Sequence, residues 1–171
     1  MQHSDLQPDL DRLRALEGTG LLACPPPPEF LEICAAARAR FGVPMAMVTL
    51  VGPGSVVVTA AHGTNLRETP RTHHFCDHAV QGDEVLVVPD ASRDPRFAAN
   101  PLVRGRPFLR FYAGAPLHYV RHVRLGTLCL LDTRPRDFAA GDRAELERMA
   151  EAVTAAVLER EFDRIAAALT H

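Results

Sequence analysis

The sequence predicts an α+β domain built around an antiparallel sheet, and two observations lead to this class. Apolar residues recur at helical spacing near both ends of the chain, whereas β-branched runs fill the middle. Neighbouring runs are joined by short turns, as in the hairpins that pair antiparallel strands. With 171 residues, 47% of them hydrophobic, the chain can bury a sizeable core within one domain.

The first third of the chain predicts two helices separated by an extended connector. The first helix has leucines at helical spacing and ends at Gly18 or Gly20; these leucines are Leu6, Leu10, Leu13 and Leu16. The connector CPPPPE spans residues 24–29, where successive prolines fix the backbone torsions. The second helix, FLEICAAARARFG, follows from Glu29 and stops at Gly42.

Strands are predicted through the middle of the chain. MAMVTLV (45–51) and SVVVTAA (55–61) form a hairpin across a Gly-Pro-Gly turn, and their continuous apolar character predicts cover on both faces of the sheet. EVLVVPD (84–90) is a short strand. A loop with one helical turn near Phe97 leads into a second hairpin, FLRFYAGAPL with RLGTLCLLD (108–117 and 124–132).

A long final helix is predicted from about Ala140, and it carries two apolar stripes. The first stripe consists of Leu146, Met149, Val153 and Val157. The second lies at a shifted angle and consists of Leu158, Phe162, Ile165 and Leu169. A stripe that changes face predicts that the first half of the helix packs on the sheet and the second half meets a partner. We therefore expect a homodimer, with the N-terminal helix as the second contributor to a four-helix contact.

Composition excludes several classes of function. The formal net charge is -2 and every one of the 19 basic residues is arginine, which argues against a nucleic-acid protein and against lysine chemistry. No apolar stretch reaches the roughly 18 residues of a membrane span, and the N-terminus has no signal-peptide pattern. The four cysteines are widely spaced and are expected to be reduced thiols in a cytoplasmic protein.

The stretch TPRTHHFCDHAV (69–80) concentrates the polar chemistry of the chain. In a helix that begins at His73, His74 and His78 share a face at the spacing of paired metal ligands. Cys76 points about 200° away from His74 but lies near the helix start, where the dipole lowers a thiol pKa. The favoured interpretation is a helix whose Phe75 packs inward while the histidines and Asp77 edge a cavity. A metal site and a thiol nucleophile remain alternatives.

Further candidate binding residues follow this stretch. Asp90 and Asp94 are expected to bond amides of their own loop, while Arg96 and Arg110 could pair with an anionic ligand. Aromatic side chains could either wall a cavity for a planar ligand or belong to the core; they are Phe97, Phe111 and Tyr112.

Several stretches, in this order, make the chain resemble a GAF domain, the small sensory module of signalling proteins. The most specific are FCDHAV, DASRDPRFAANPLV, FYAGAPL and LGTLCLLD, and the similarity runs from about Leu10 to Glu159. The resemblance implies a sheet of about six strands with helices on both faces, terminal helices packed together, a ligand cavity over one face and dimerisation through the terminal helices. We expect the chain to divide into an N-terminal helix with its connector (1–28), the sheet core (29–139) and the C-terminal helix (140–171).

The expected function is that of a stand-alone, non-enzymatic sensory module. It would bind a small molecule, which the resemblance does not identify, or relay a signal to a separate effector such as a histidine kinase or cyclase. The cavity is expected between the sheet and residues 73–107, lined by the candidates His74, Phe75, Cys76, His78, Asp90, Arg96, Phe97, Arg110, Phe111 and Tyr112. The alternatives centred on Cys76 are a thiol-based reductase similar to free methionine sulfoxide reductase, and a metal or haem sensor. The loop 91–107 contains no second cysteine, which argues against the reductase.

Overall fold

The computed structural model describes residues 3–71 and 75–170. Its centre is a six-stranded sheet in which every neighbouring pair is antiparallel, in the order β3-β2-β1-β6-β5-β4. The strands are β1 (Met45–Val51), β2 (Ser55–His62), β3 (Glu68–Pro70), β4 (Leu86–Val88), β5 (Phe111–His118) and β6 (Arg124–Asp132). The predicted α+β class and the six-stranded antiparallel sheet are confirmed.

Five α-helices surround the sheet in the described part of the chain: α1 (His3–Thr19), α2 (Pro28–Phe41), α3 (Phe75–Ala79), α4 (Pro101–Arg104) and α5 (Ala140–Leu169). Two 3₁₀ turns, Ala91–Arg93 and Val120–His122, complete the loops. Pro28 stands in the first turn of α2, where its missing N–H costs nothing. Gly42 ends the same helix in the left-handed region, at φ 63°, and its N–H donates to the Arg38 carbonyl.

The two faces of the sheet carry separate apolar cores, because side chains alternate along each strand. One core lies under α2 and α5 and includes Phe30, Phe111 and Leu128. The other lies under α3 and the loop that follows β4, and includes Phe75 and Tyr112. Helices therefore cover both faces. No described helix is both long enough and apolar enough to cross a bilayer.

The 30 residues of α5 divide into two halves. In the first half, Leu146, Val153 and Val157 are buried against the sheet. In the second half, the four apolar residues of the exposed stripe point away from the core; they are Leu158, Phe162, Ile165 and Leu169, with exposed fractions of 44%, 72%, 62% and 81%. The end of α1 meets this half, where Arg164 Nη1 donates to the Thr19 carbonyl at 3.0 Å.

Some element boundaries differ from the sequence prediction. β2 is mostly half-buried rather than covered on both faces, because it lies beside the three-residue edge strand β3, which was not predicted. The strand predicted from Phe108 begins at Phe111, since Phe108 adopts φ 61° and leaves the extended region. The loop after β4 forms turns around Phe97 and also contains α4. The predicted start of the third helix at His73 lies outside the described residues.

Candidate functional site

Three aromatic rings form a stack between the sheet and α3, and we call them the aromatic stack: Phe75, Phe97 and Tyr112. The Phe75 ring lies 4.3 Å from the Phe97 ring and 5.0 Å from the Tyr112 ring, with 20° between planes in each pair. All three side chains are at most 1% exposed. Such stacked contacts add to the free energy of burying the rings. The stack occupies the layer in which the sequence predicts a cavity.

Tyr112 reaches the middle of the sheet because Gly114, two residues along the same strand, has no side chain. A Cβ on Gly114 would lie 2.2 Å from the Tyr112 hydroxyl, so the ring can occupy this position only over glycine. The hydroxyl donates to Cys76 Sγ at 3.3 Å. Burial, reinforced by the neighbouring thiols, raises the pKa of Tyr112 well above its usual value. The hydroxyl is therefore a neutral donor.

Beneath the stack, hydroxyls and thiols form a buried network on the sheet. Thr127 donates to Cys76 Sγ at 3.3 Å, and its own oxygen is 2.8 Å from the Thr49 hydroxyl on the neighbouring strand. Cys129 lies beside this group, and burial raises its pKa well above the usual range of a thiol. Cys34, in the other core, has its pKa raised to about 12 by burial. Burial thus opposes thiolate formation on both faces.

These thiols should differ in reactivity. Cys34, Cys76 and Cys129 are buried, whereas Cys24 is exposed. Because modification requires access and a thiolate, native protein at neutral pH should react rapidly with one equivalent of a disulfide reagent, and denatured protein with four. Replacing Cys24 with serine should abolish the rapid phase. Rapid labelling of Cys76 in the native protein would contradict this assignment and would favour a thiol-based activity.

Charged residues border the outer side of the stack. Arg96 donates to both carboxylate oxygens of Asp94, at 3.0 and 2.8 Å, and lies over the Phe97 ring at 5.1 Å. Its hydrogen bond lowers the pKa of Asp94. His78 contacts the same ring edge-on, with 4.9 Å between centroids. The Arg96 guanidinium is thus engaged by its own loop.

Two further candidates hold the chain around this loop. The Asp90 carboxylate accepts from the N–H and hydroxyl of Ser92, at 3.1 and 2.6 Å, and these bonds lower its pKa. Arg110 donates to the carbonyls of Val103 and Leu109, at 3.0 and 2.9 Å. Asp90, Asp94 and Arg110 therefore have the structural roles that short loops commonly give to such side chains.

The comparison of the chain with protein families decides its class. Residues 28–157 match the GAF domain family. The chain belongs to the GAF domain family. It is also 43% identical, over 129 residues, to a cyclic di-GMP phosphodiesterase of Pseudomonas aeruginosa; the match covers 75% of this chain and 22% of that protein. The chain thus spans about a fifth of the length of that relative.

Solved structures share the same fold at low identity. The GAF domain of a phosphoenolpyruvate-protein phosphotransferase from Coxiella burnetii has a TM-score of 0.68 and 15% identity, over 91% of this chain and 96% of that one. A type II free methionine-R-sulfoxide reductase from Thermoplasma acidophilum has a TM-score of 0.65 and 17% identity, over 78% and 92%. At these identities the likeness shows the fold alone.

The GAF domain brings together most, but not all, of the predicted site residues. Phe75, Cys76 and His78 meet Phe97 and Tyr112 on one face, with Arg96 at the rim. Phe111 does not join them: it lies on the opposite face and contacts Phe138, with 5.7 Å between centroids. Grouping it with Tyr112 was wrong, because consecutive residues of a strand point to opposite faces. His74 lies outside the described residues.

The sequence prediction missed the polar floor of the candidate site. Thr49, Thr127 and Cys129 come from two central strands, and no local motif marks them. The alternation Thr127-Leu128-Cys129 in β6 could have placed the first and third on one face. Among residues 3–71 and 75–170, no three His, Cys, Asp or Glu side chains gather closely enough to hold a metal ion; His73 and His74 are not in this set.

Two of the concave surfaces formed by the described residues lie outside the aromatic stack. A cleft of about 320 Å³ lies between β5 and α5 and includes Asp83, His118 and Leu158 in its lining. A more open groove of about 560 Å³ follows residues 89–90 and 93–96. The second groove falls within the segment predicted to bind a ligand, whereas the first lies beside the exposed stripe of α5.

Proposed function

We propose that this GAF domain is a non-enzymatic regulatory module that relays a signal through α5, and that a second copy of the chain covers the exposed stripe. The observation that carries the proposal is the change in burial along α5. Val157 is 2% exposed, whereas Phe162, little more than one turn later, is 72% exposed. A helix that leaves its own core with an apolar stripe is the feature expected of a subunit contact.

The spacing of the exposed stripe favours a helix as its cover. Leu158, Phe162, Ile165 and Leu169 are separated by four, three and four residues, the alternation of positions that face a partner helix in a coiled coil. Charged residues flank this seam on the same helix, among them Glu159, Arg160 and Asp163. A second copy supplies the same pattern across a two-fold axis.

The aromatic stack supports a regulatory role over a catalytic one. A nucleophilic thiol must be accessible to its substrate, and Cys76 is 0% exposed. We assign small-molecule binding, as the input of the module, to the same face and its groove along residues 89–96.

The partner that receives the signal is proposed to be a signalling enzyme. Support comes from the similarity to a protein named as a cyclic di-GMP phosphodiesterase, of which this chain spans about a fifth. A histidine kinase or a cyclase could receive the signal in the same way as a phosphodiesterase. We place the module in the cytoplasm, where the exposed Cys24 would stay reduced.

Charge reversal within the exposed stripe tests the proposal. The double variant Phe162→Glu/Ile165→Glu introduces four carboxylates into a two-fold seam and should convert the dimer to a folded monomer. Light scattering after gel filtration measures the mass, and circular dichroism checks the fold. Phe108→Glu is the matched control, because Phe108 is also an exposed apolar residue, at 46%, but lies outside α5. An unchanged mass for the double variant would contradict a seam at this stripe.

A further inference from the structure

A single arginine connects three parts of the fold. Arg71 follows β3, and its N–H donates to the Gly54 carbonyl in the β1–β2 turn at 3.2 Å. Its guanidinium forms a bidentate pair with Asp9 of α1, with Nη2–Oδ1 and Nη1–Oδ2 distances of 2.7 and 3.0 Å. The Nε atom donates to Asp77 of α3 at 2.7 Å. α1 and α3 are thus joined through one side chain.

A second arginine holds the middle of α1 against the sheet, one turn after Asp9. Arg12 is 5% exposed and donates to Asp9 at 3.1 Å and to the Val51 carbonyl at 2.7 Å. The negative charges of Asp9 and Asp77 balance the positive charges of Arg12 and Arg71 in this cluster. The hydrogen bond from Arg71 lowers the pKa of Asp9, as expected for a carboxylate that stays ionised beside it.

The cluster is too sheltered to be an ordinary surface ion pair. The side chains of Arg71, Asp9 and Asp77 are 20%, 30% and 20% exposed, so solvent screens them less than fully exposed pairs. A bidentate pair also demands a fixed position of the guanidinium plane. A shift of Asp77 would therefore change the position of Arg71, and with it the attachment of Asp9.

We propose that Arg71 is a coupling residue, through which the position of α3 determines how firmly α1 is held to the domain. α3 contributes Phe75 to the aromatic stack and Asp77 to the cluster, two residues apart. A change in the stack therefore reaches the N-terminal helix directly. The coupling extends the proposed function, because it connects the face proposed to bind a ligand with a terminal helix. The coupling itself requires neither a ligand nor a second copy of the chain.

Hydrogen–deuterium exchange of the full chain tests the coupling without ligand or partner. Asp77→Asn removes the negative charge on α3 that contacts Arg71. The substitution itself lies outside α1, so an effect on α1 has to be transmitted. We expect amides of residues 8–19 in α1 to exchange about threefold faster, while those of α2 and β6 keep their rates. Glu145→Gln is the matched control, since its carboxylate also pairs with an arginine, Arg148, but within α5 and on the other face of the sheet from the aromatic stack; it should leave α1 unchanged.

A double-mutant cycle identifies the route. In an Arg71→Gln background, α1 should already exchange faster, and adding Asp77→Asn should bring no further increase. The proposal is overturned if Asp77→Asn accelerates exchange only near α3, if it acts equally with and without Arg71, or if it accelerates α1, α2 and β6 alike. None of these outcomes bears on the mass of the wild type, so a failure here is distinguishable from failure of the dimer seam.

Discussion

Replacing Phe75 with alanine is expected to lower the free energy of unfolding by about 4 kcal/mol. The ring is 1% exposed and is the middle member of the aromatic stack, in contact with Phe97 and Tyr112. Its removal forfeits the transfer free energy of a phenyl group and leaves a cavity between two other buried rings. Urea denaturation followed by circular dichroism measures the change.

Phe108→Ala provides the matched control for this prediction. It deletes the same group from a ring that is 46% exposed, and we expect a loss of about 1 kcal/mol or less. If the two variants lose similar stability, the aromatic stack is not the packed layer described above, and the face under α3 must be open to solvent.

Replacing Gly126 with alanine is expected to destabilise the protein by about 4 kcal/mol or more, enough to prevent folding at ordinary stabilities. A Cβ at this position would lie 1.8 Å from the Thr49 carbonyl oxygen and 2.8 Å from Leu50 Cα. Both atoms belong to the backbone of β1, which pairs with β6 at the centre of the sheet. The clash cannot be relieved by turning a side chain. Yield of soluble protein and thermal unfolding provide the measurement.

Gly141→Ala makes the same chemical change where there is room for it. Gly141 lies in the first turn of α5, and a Cβ there would meet no atom within 4 Å. Because alanine favours the helix, this variant should be as stable as the wild type or more so, by up to about 1 kcal/mol. A Gly126→Ala protein within about 1 kcal/mol of the wild type would contradict the close approach of β1 and β6.

The elements that could be predicted from sequence are those in which local pattern and final environment agree. β1 and β6 have the predicted bounds, because an apolar run can be buried on both faces only at the centre of a sheet. α5 begins at the predicted residue, and its two stripes separate into a buried and an exposed half. β3 was missed because three residues ending in Pro70 carry no strand pattern; pairing with β2 creates that strand.

The candidate site was less predictable, because distant segments assemble it. The contact between Phe75 and Tyr112 joins α3 to β5, and the stack depends on Gly114, whose role appears only once Tyr112 lies over it. Arg71 and Asp9 are 62 residues apart in the chain, so no spacing rule relates them. Motif similarity predicts a binding site on the α3 face, but it could not show that side chains fill that face.

The stack, the Arg71 cluster and the exposed half of α5 support one account of the domain. In it, changes at the α3 face act on terminal helices, which lie at a contact with a second copy. The proposed relay requires that a second copy covers the exposed stripe. If the stripe were uncovered, a change that reached the end of α5 would not be passed to a partner.

Sedimentation equilibrium of the wild-type chain at micromolar concentration tests this point most directly. The account predicts a reversible dimer, with a fitted mass twice the 18.7 kDa of one chain that declines only on further dilution. A constant mass of 18.7 kDa across the micromolar range would contradict it and would show that Phe162 and Ile165 are not covered by a second copy.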